Sequence, residues 1–323
     1  MRLHALFSRL AATGLLLVSL TAPACAADDD DTVARLEHLL GYLAVDYPDT
    51  VSNGRVVNKS EYAEQREFSQ RAIEFGRRLS GKKEKPAIEK SIVELARQIE
   101  KRASGQRVSA LARDIRASLL VAYPVKTAPA EAPDLARGAA RYATECTSCH
   151  GTTGRGDGPA AKGMEPPPLS FHDRARQSQR SVYDLFNIIT LGVDGTAMRG
   201  HPALSRADRW AIAFHVANLP VSDEERRSGE RLWREGTGRD QFRHLGQLTG
   251  QSPAQVLARH GQPAERVFAY LRAHPAALAR KEPALDFSRR LMAQSLARYQ
   301  ANDARGAYEA GVLTTSRTLA EFF

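Results

Sequence analysis

The run Cys146-Thr147-Ser148-Cys149-His150 constrains this chain more than any other segment. Two cysteines three apart, followed at once by histidine, form the attachment site of a c-type haem. Each thiol bonds one vinyl group of the macrocycle, and the next residue sets an imidazole under the iron. The motif predicts one covalent haem c and an electron carrier that folds around it. The chain has three cysteines, and the third, Cys25, falls in an expected leader. A structural zinc site wants about four ligands, and no second Cys or His pair at short spacing supplies them. A thioredoxin-like Cys-x-x-Cys sits in a strand–helix alternation, and none surrounds this one. A disulfide between Cys146 and Cys149 would close a very small, strained loop.

Residues 1–26 read as a secretory signal peptide. Arg2 and Arg9 make the positive region, Leu10 to Leu20 the apolar stretch, and Ala24-Cys25-Ala26 a small-x-small cleavage site. The apolar stretch falls short of the roughly 20 residues that cross a bilayer. Ala22-Pro23-Ala24 is a poor match to a lipidation signal at Cys25. Export to the periplasm is expected, which agrees with haem attachment outside the cytoplasm.

At 323 residues, 42% of them hydrophobic, the chain is long enough for two or three domains. Its formal net charge is +9, with the basic residues dispersed and not interleaved with aromatics. A solvated surface is therefore predicted, and no nucleic-acid partner.

The apolar spacing predicts an all-α fold. Val33, Leu36, Leu40 and Leu43 share one helix face, and Phe68, Ala72, Phe75 and Leu79 a second, after an N-cap at Ser60. Ile88, Ile92, Leu95 and Ile99 follow Pro86, a helix-start residue. Val108, Leu111, Ile115 and Leu119 complete an antiparallel bundle over 27–123. A Pro-rich linker follows at 124–132, the haem domain at 133–220 and a helical C-terminal region at 221–323. That last region includes a helix capped by Ser252 with Pro253 at its first turn, and another over 283–300. Gly229-Glu230-Arg231-Leu232-Trp233 faintly echoes Gly138-Ala139-Ala140-Arg141-Tyr142, but no second Cys-x-x-Cys-His follows it.

Within the haem domain, helices are expected over 134–145 and 205–219. Gly138 and Tyr142 lie four apart on the first, Trp210 and Phe214 four apart on the second. This arrangement resembles the class I cytochrome c fold, in which the first and last helices cross. The resemblance implies that the Pro159 carbonyl accepts a hydrogen bond from the outer nitrogen of the proximal ligand His150. The distal ligand is expected to be Met198, in the loop between two helices, where a thioether raises the reduction potential. His201 is the competitor. Met164 and Met292 are expected in packing roles, and His172 and His215 at the surface and in helix packing.

The run Leu185-Phe186-Asn187-Ile188-Ile189-Thr190-Leu191-Gly192-Val193-Asp194-Gly195-Thr196-Ala197-Met198 is similar to the cytochrome c domain fused to bacterial high-affinity iron permeases, as is Asp208-Arg209-Trp210-Ala211-Ile212-Ala213-Phe214. Leu40-Gly41-Tyr42-Leu43-Ala44-Val45-Asp46-Tyr47-Pro48 and Gly54-Arg55-Val56-Val57-Asn58 resemble the same family's periplasmic extension. The likeness fades after Tyr308, and the permease's Arg-Glu-x-x-Glu motifs do not occur. The resemblance implies three partners: a permease membrane subunit, a periplasmic or membrane-bound redox partner, and ferrous iron as electron donor. The expected function is electron transfer in ferrous iron oxidation coupled to iron uptake, with a dehydrogenase electron-transfer subunit as the alternative. Glu61, Glu64 and Glu67 are three apart and offer oxygen ligands for iron. A solvated face paired with Arg66 and Arg71 competes with that reading.

Overall fold

The structure, a computed structural model, describes residues 25–278. Most of the expected leader, Met292 and the helix expected over 283–300 lie outside them. The described fold is all-α apart from one two-residue hairpin.

Four helices form the N-terminal bundle: α1 Cys25–Asp46, α2 Lys59–Arg78, α3 Lys85–Glu100 and α4 Gly105–Ala122. Each packs on the next and α4 closes back on α1. The four apolar stripes meet at the centre, with Leu36, Leu40, Leu43, Ile92, Leu95, Ile99 and Leu119 sealed from solvent. The start of α2 differs from expectation. Asn58, not Ser60, is the cap: it is extended, and its side chain accepts from Glu61 N at 3.3 Å. Ser60 is already helical and donates to Asn58 Oδ1 at 3.0 Å. Between α1 and α2, β1 Val51–Ser52 and β2 Arg55–Val56 pair antiparallel. Asn53 and Gly54 at their turn both have positive φ, 50° and 73°. Asn-Gly suits that tight hairpin geometry.

After an irregular stretch, the haem-motif unit begins with α5 Leu135–Glu145, capped by Asp134, whose side chain accepts from Ala136 N and Arg137 N. It continues through α6 Thr147–His150, α7 Arg174–Ser178, α8 Val182–Leu191 and α9 Arg206–Asn218, which Ser205 caps. As expected, α5 and α9 cross. At the crossing Gly138 lies against the backbone of Ala211, and Arg137 donates to the buried Asp208 at 2.5 Å. Trp210 stacks on Phe186, 4.1 Å between centroids.

Three further helices follow: α10 Asp223–Arg234, α11 Leu245–Thr249 and α12 Pro253–Ala273. Ser252 caps α12 as expected, in a reciprocal pair with Gln255. Gly261 (φ 78°) kinks α12 just before Pro263. The apolar core is continuous from Tyr142, Phe186 and Trp210 into Trp233, Phe242, Val267 and Phe268.

The bundle touches the haem-motif unit mainly through α1, which packs on α8. Glu37, fully buried, accepts from Arg116 Nε of α4 at 2.9 Å and from Asn187 Nδ2 of α8 at 2.6 Å. The Arg116 guanidinium also binds Asp184, and Asp184 closes a reciprocal cap with Ser181 at the start of α8. Further along, Arg180 donates to both carboxylate oxygens of Asp46, at 3.0 and 2.9 Å. Burial pushes the Glu37 carboxyl up, further than Arg116 pulls it down. Burial also opposes ionisation of Asp184, but Arg116 and the Ser181 hydrogen bonds outweigh it and hold that carboxyl low.

Candidate haem-attachment site

The two cysteines and the histidine occupy one helical turn. His150 N donates to Cys146 O at 2.9 Å and Gly151 N to Thr147 O at 3.0 Å. A spacing of three puts both thiols on the same side of such a turn. Both are free and half-buried. Gly151 ends the turn at φ 76°, where a Cβ would lie 1.9 Å from an Asp157 carboxylate oxygen. The following loop folds back onto the motif, with Gly156 N bonding His150 O at 2.9 Å and Gly158 N bonding Cys149 O at 3.1 Å. A Cβ at Gly158 would meet the carbonyl oxygens of Ser148 and Thr147 at 2.4 and 2.5 Å, so only glycine fits there.

Two contacts brace this loop. Tyr142 of α5 donates its hydroxyl to Gly151 O at 2.9 Å, and a ring nitrogen of His172 lies 2.7 Å from Thr153 O. His172 therefore ties two parts of the loop together, a more specific role than the surface position expected of it. His215 packs on the Tyr142 ring, 5.0 Å between centroids.

The His150 imidazole stacks on Phe171, 4.7 Å between centroids and 22° from parallel. Burial lowers its pKa, partly opposed by the Leu169 carbonyl, and the nearby His201 lowers it further. The ring is thus kept neutral, the form that binds metals. Its Nδ1 is buried with no hydrogen-bond partner. Two free thiols beside a neutral imidazole with an orphaned nitrogen are the donor set that haem c requires, so the residues fit the group. Pro159 opens a single 3₁₀ turn and is exposed, and its carbonyl does not reach His150 Nδ1.

Met198 lies in a small hairpin between α8 and α9. Gly192, at φ 76°, pairs with Arg199 across the neck. Val193 N donates to Met198 O at 2.8 Å, and Met198 N to Thr196 Oγ1 at 3.1 Å. Met198 is half-buried. His201 follows the hairpin, its backbone held by Ile189 O at 2.8 Å. Met164 sits near the proline run, half-buried. Sequence reasoning missed Phe171 and Asp208. An isolated aromatic carries no periodic signal, while Ser205 followed three residues later by Asp208 is a visible capping pair.

The carboxylates Glu61, Glu64 and Glu67 do not assemble a site. Among the described residues, no three or more His, Cys, Asp or Glu side chains gather to hold a metal ion. Steps of three drift round a helix, leaving Glu61 and Glu64 half-buried and Glu67 exposed. The arginines also pair elsewhere than expected, Arg66 with Glu100 and Arg71 with Asp194.

Two family profiles match the chain. Residues 135–220 match cytochrome c, and residues 26–126 match the iron permease-associated 4-helix bundle domain. The chain matches a portion of the cytochrome c-fused iron permease family. No curated protein and no solved structure gave a match. The crossing helices and haem motif are thus those of the cytochrome c domain, and the bundle docked on α8 is the permease-associated one. Among the described residues, no helix is long and apolar enough to cross a membrane.

Proposed function

We propose that this chain is an exported monohaem cytochrome that takes an electron from ferrous iron and passes it to a respiratory partner, serving an iron permease. The observation that carries the reading is the buried contact between the two domains. The permease-associated bundle is joined to the cytochrome domain through Glu37, Arg116, Asp184 and Asn187. An electron carrier and an iron-uptake module are thus held together by the same buried groups.

In this reading Cys146 and Cys149 tether the macrocycle, His150 is the proximal ligand and Met198 the distal one. Haem c held there supplies a one-electron couple. Phe171 fixes the plane of the His150 ring, and the glycine-rich loop screens its edge from water. The chain acts as a carrier, with ferrous iron as donor.

Rapid mixing of the oxidised holoprotein with excess ferrous iron tests this. Haem reduction on the timescale of seconds is expected. No reduction over minutes, with prompt reduction by a small-molecule donor, would rule out iron as the substrate. Cys146→Ser with Cys149→Ser is expected to abolish covalent haem, so that pigment is lost from the denatured polypeptide. Retention of covalent haem in that double variant would refute the attachment site.

A further inference from the structure

We propose that the bundle positions the distal side of the haem pocket, with His38 and Arg71 as the positioning residues that hold the Met198 hairpin. The inference rests on Met198 as distal ligand. Two side chains of the bundle grip the hairpin at opposite ends. At its neck, His38 of α1 places Nε2 2.9 Å from Gly192 O. Burial holds the pKa of His38 down at about 4, so the ring is neutral and donates from that nitrogen. At the tip, Arg71 of α2 pairs with Asp194 at 2.5 Å.

The hairpin has little else to hold it. Asp194, Gly195 and Ala197 are exposed, and Val193 and Met198 are only half-buried. Its internal bonds close a small loop but do not fix its direction relative to the pocket. Direction comes from α8 behind it and from the two bundle contacts. His38 is itself set by neighbours. Tyr42 meets it edge-on at 5.0 Å, and the Arg180 guanidinium lies 4.9 Å over the Tyr42 ring while pairing with Asp46. The grip at the neck is therefore built into the buried domain contact.

A ligand loop held from outside its own domain opens more readily when that hold is removed. In the oxidised holoprotein, added imidazole replaces the thioether only when the hairpin opens, so its apparent affinity reports the opening equilibrium. Losing one hydrogen bond of ordinary net strength raises that equilibrium by about fivefold. His38→Ala is expected to tighten imidazole binding by about that factor, weaken the far-red thioether-to-iron band and lower the reduction potential. Arg71→Ala, at a part-exposed pair, is expected to act in the same direction by about two- to fivefold. Exchanging the charges, Arg71→Asp with Asp194→Arg, should recover most of that loss. Arg66→Ala breaks the ion pair of the same helix with Glu100, which does not involve the hairpin, and serves as control.

A normal band in the parent with imidazole binding unchanged in His38→Ala and Arg71→Ala would overturn the proposal and leave Met198 as ligand. An equal effect of Arg66→Ala would also overturn it, because general loosening of the bundle would then explain the change. Absence of the thioether band in the parent would remove Met198 as ligand and the proposal with it. If His38→Ala fails to fold, the Arg71 and charge-exchange variants decide alone.

Discussion

Arg116→Ala is expected to destabilise the protein by about 3–5 kcal/mol, the usual cost of removing one partner from a buried ion pair. Arg116 stands between Glu37 of α1 and Asp184 of α8 and bonds both. Glu37 is fully buried and Asp184 nearly so. Without the guanidinium, two carboxylates face each other away from water. Glu37 then holds a proton well above its ordinary value of 4.5. A carboxyl whose folded pKa lies above its unfolded one costs stability as pH rises through the interval between them. The variant should therefore lose stability from about pH 4.5 toward neutrality more steeply than the parent, in which Arg116 offsets part of the cost of burying Glu37. Urea unfolding at pH 5 and pH 7.5, followed by haem absorbance and helical ellipticity, checks both magnitude and sign. An unchanged midpoint at pH 7.5 would show that the network contributes nothing to the domain contact. Replacing all three groups, Arg116→Met, Glu37→Gln and Asp184→Asn, should recover much of the loss, because no buried charge is left unpaired.

Gly138→Ala should cost about 1–3 kcal/mol by overpacking and lower the yield of haem-loaded protein. In an open helix the same change gains about 1 kcal/mol. Here the added Cβ would stand 2.2 Å from the carbonyl oxygen of Ala211 and 2.7 Å from its carbon. Both are backbone atoms in the middle of α9, so relief requires the helices to part. Parting them pulls Arg137 from Asp208 and moves Tyr142, whose hydroxyl braces Gly151 beside the haem motif. Gly81→Ala, in the connection between α2 and α3, is the open-space control, since nothing lies within 4 Å of a Cβ there. Thermal unfolding of the two variants should move in opposite directions or leave Gly81→Ala unchanged. Equal midpoints would mean the crossing is not tight.

Much of this was legible from the sequence because it rests on local rules. The bundle helices announce themselves by apolar stripes that all end in the core, and α12 by Ser252-Pro253. Gly138 and Tyr142 four apart identify the crossing face before the partner helix is seen. The haem motif carries its own geometry, since three-residue spacing fits a single turn. What stayed hidden depends on residues distant in the chain. His38, Arg71, Glu37 and Arg116 look like ordinary polar positions on amphipathic helices, and only the docking of α1 on α8 gives them partners. Phe171 is likewise silent until the loop returns it to His150. The Asn53-Gly54 hairpin was readable from its dipeptide but is too short to disturb an all-helical pattern. The cap at Asn58 shows the limit of cap rules. Where Asn and Ser stand two apart, the backbone angle decides between them.

Gly229 repeats in α10 what Gly138 does in α5. A Cβ there would lie 2.0 Å from the carbonyl oxygen of Arg266 in α12, and Trp233, four residues on, is buried as Tyr142 is. Yet this second crossing has no cysteine, and Phe242, Val267 and Phe268 fill its interior. Residues 223–273 therefore extend the apolar core of the haem-bearing half by a second crossing, and damage to either crossing is felt in the one core they share.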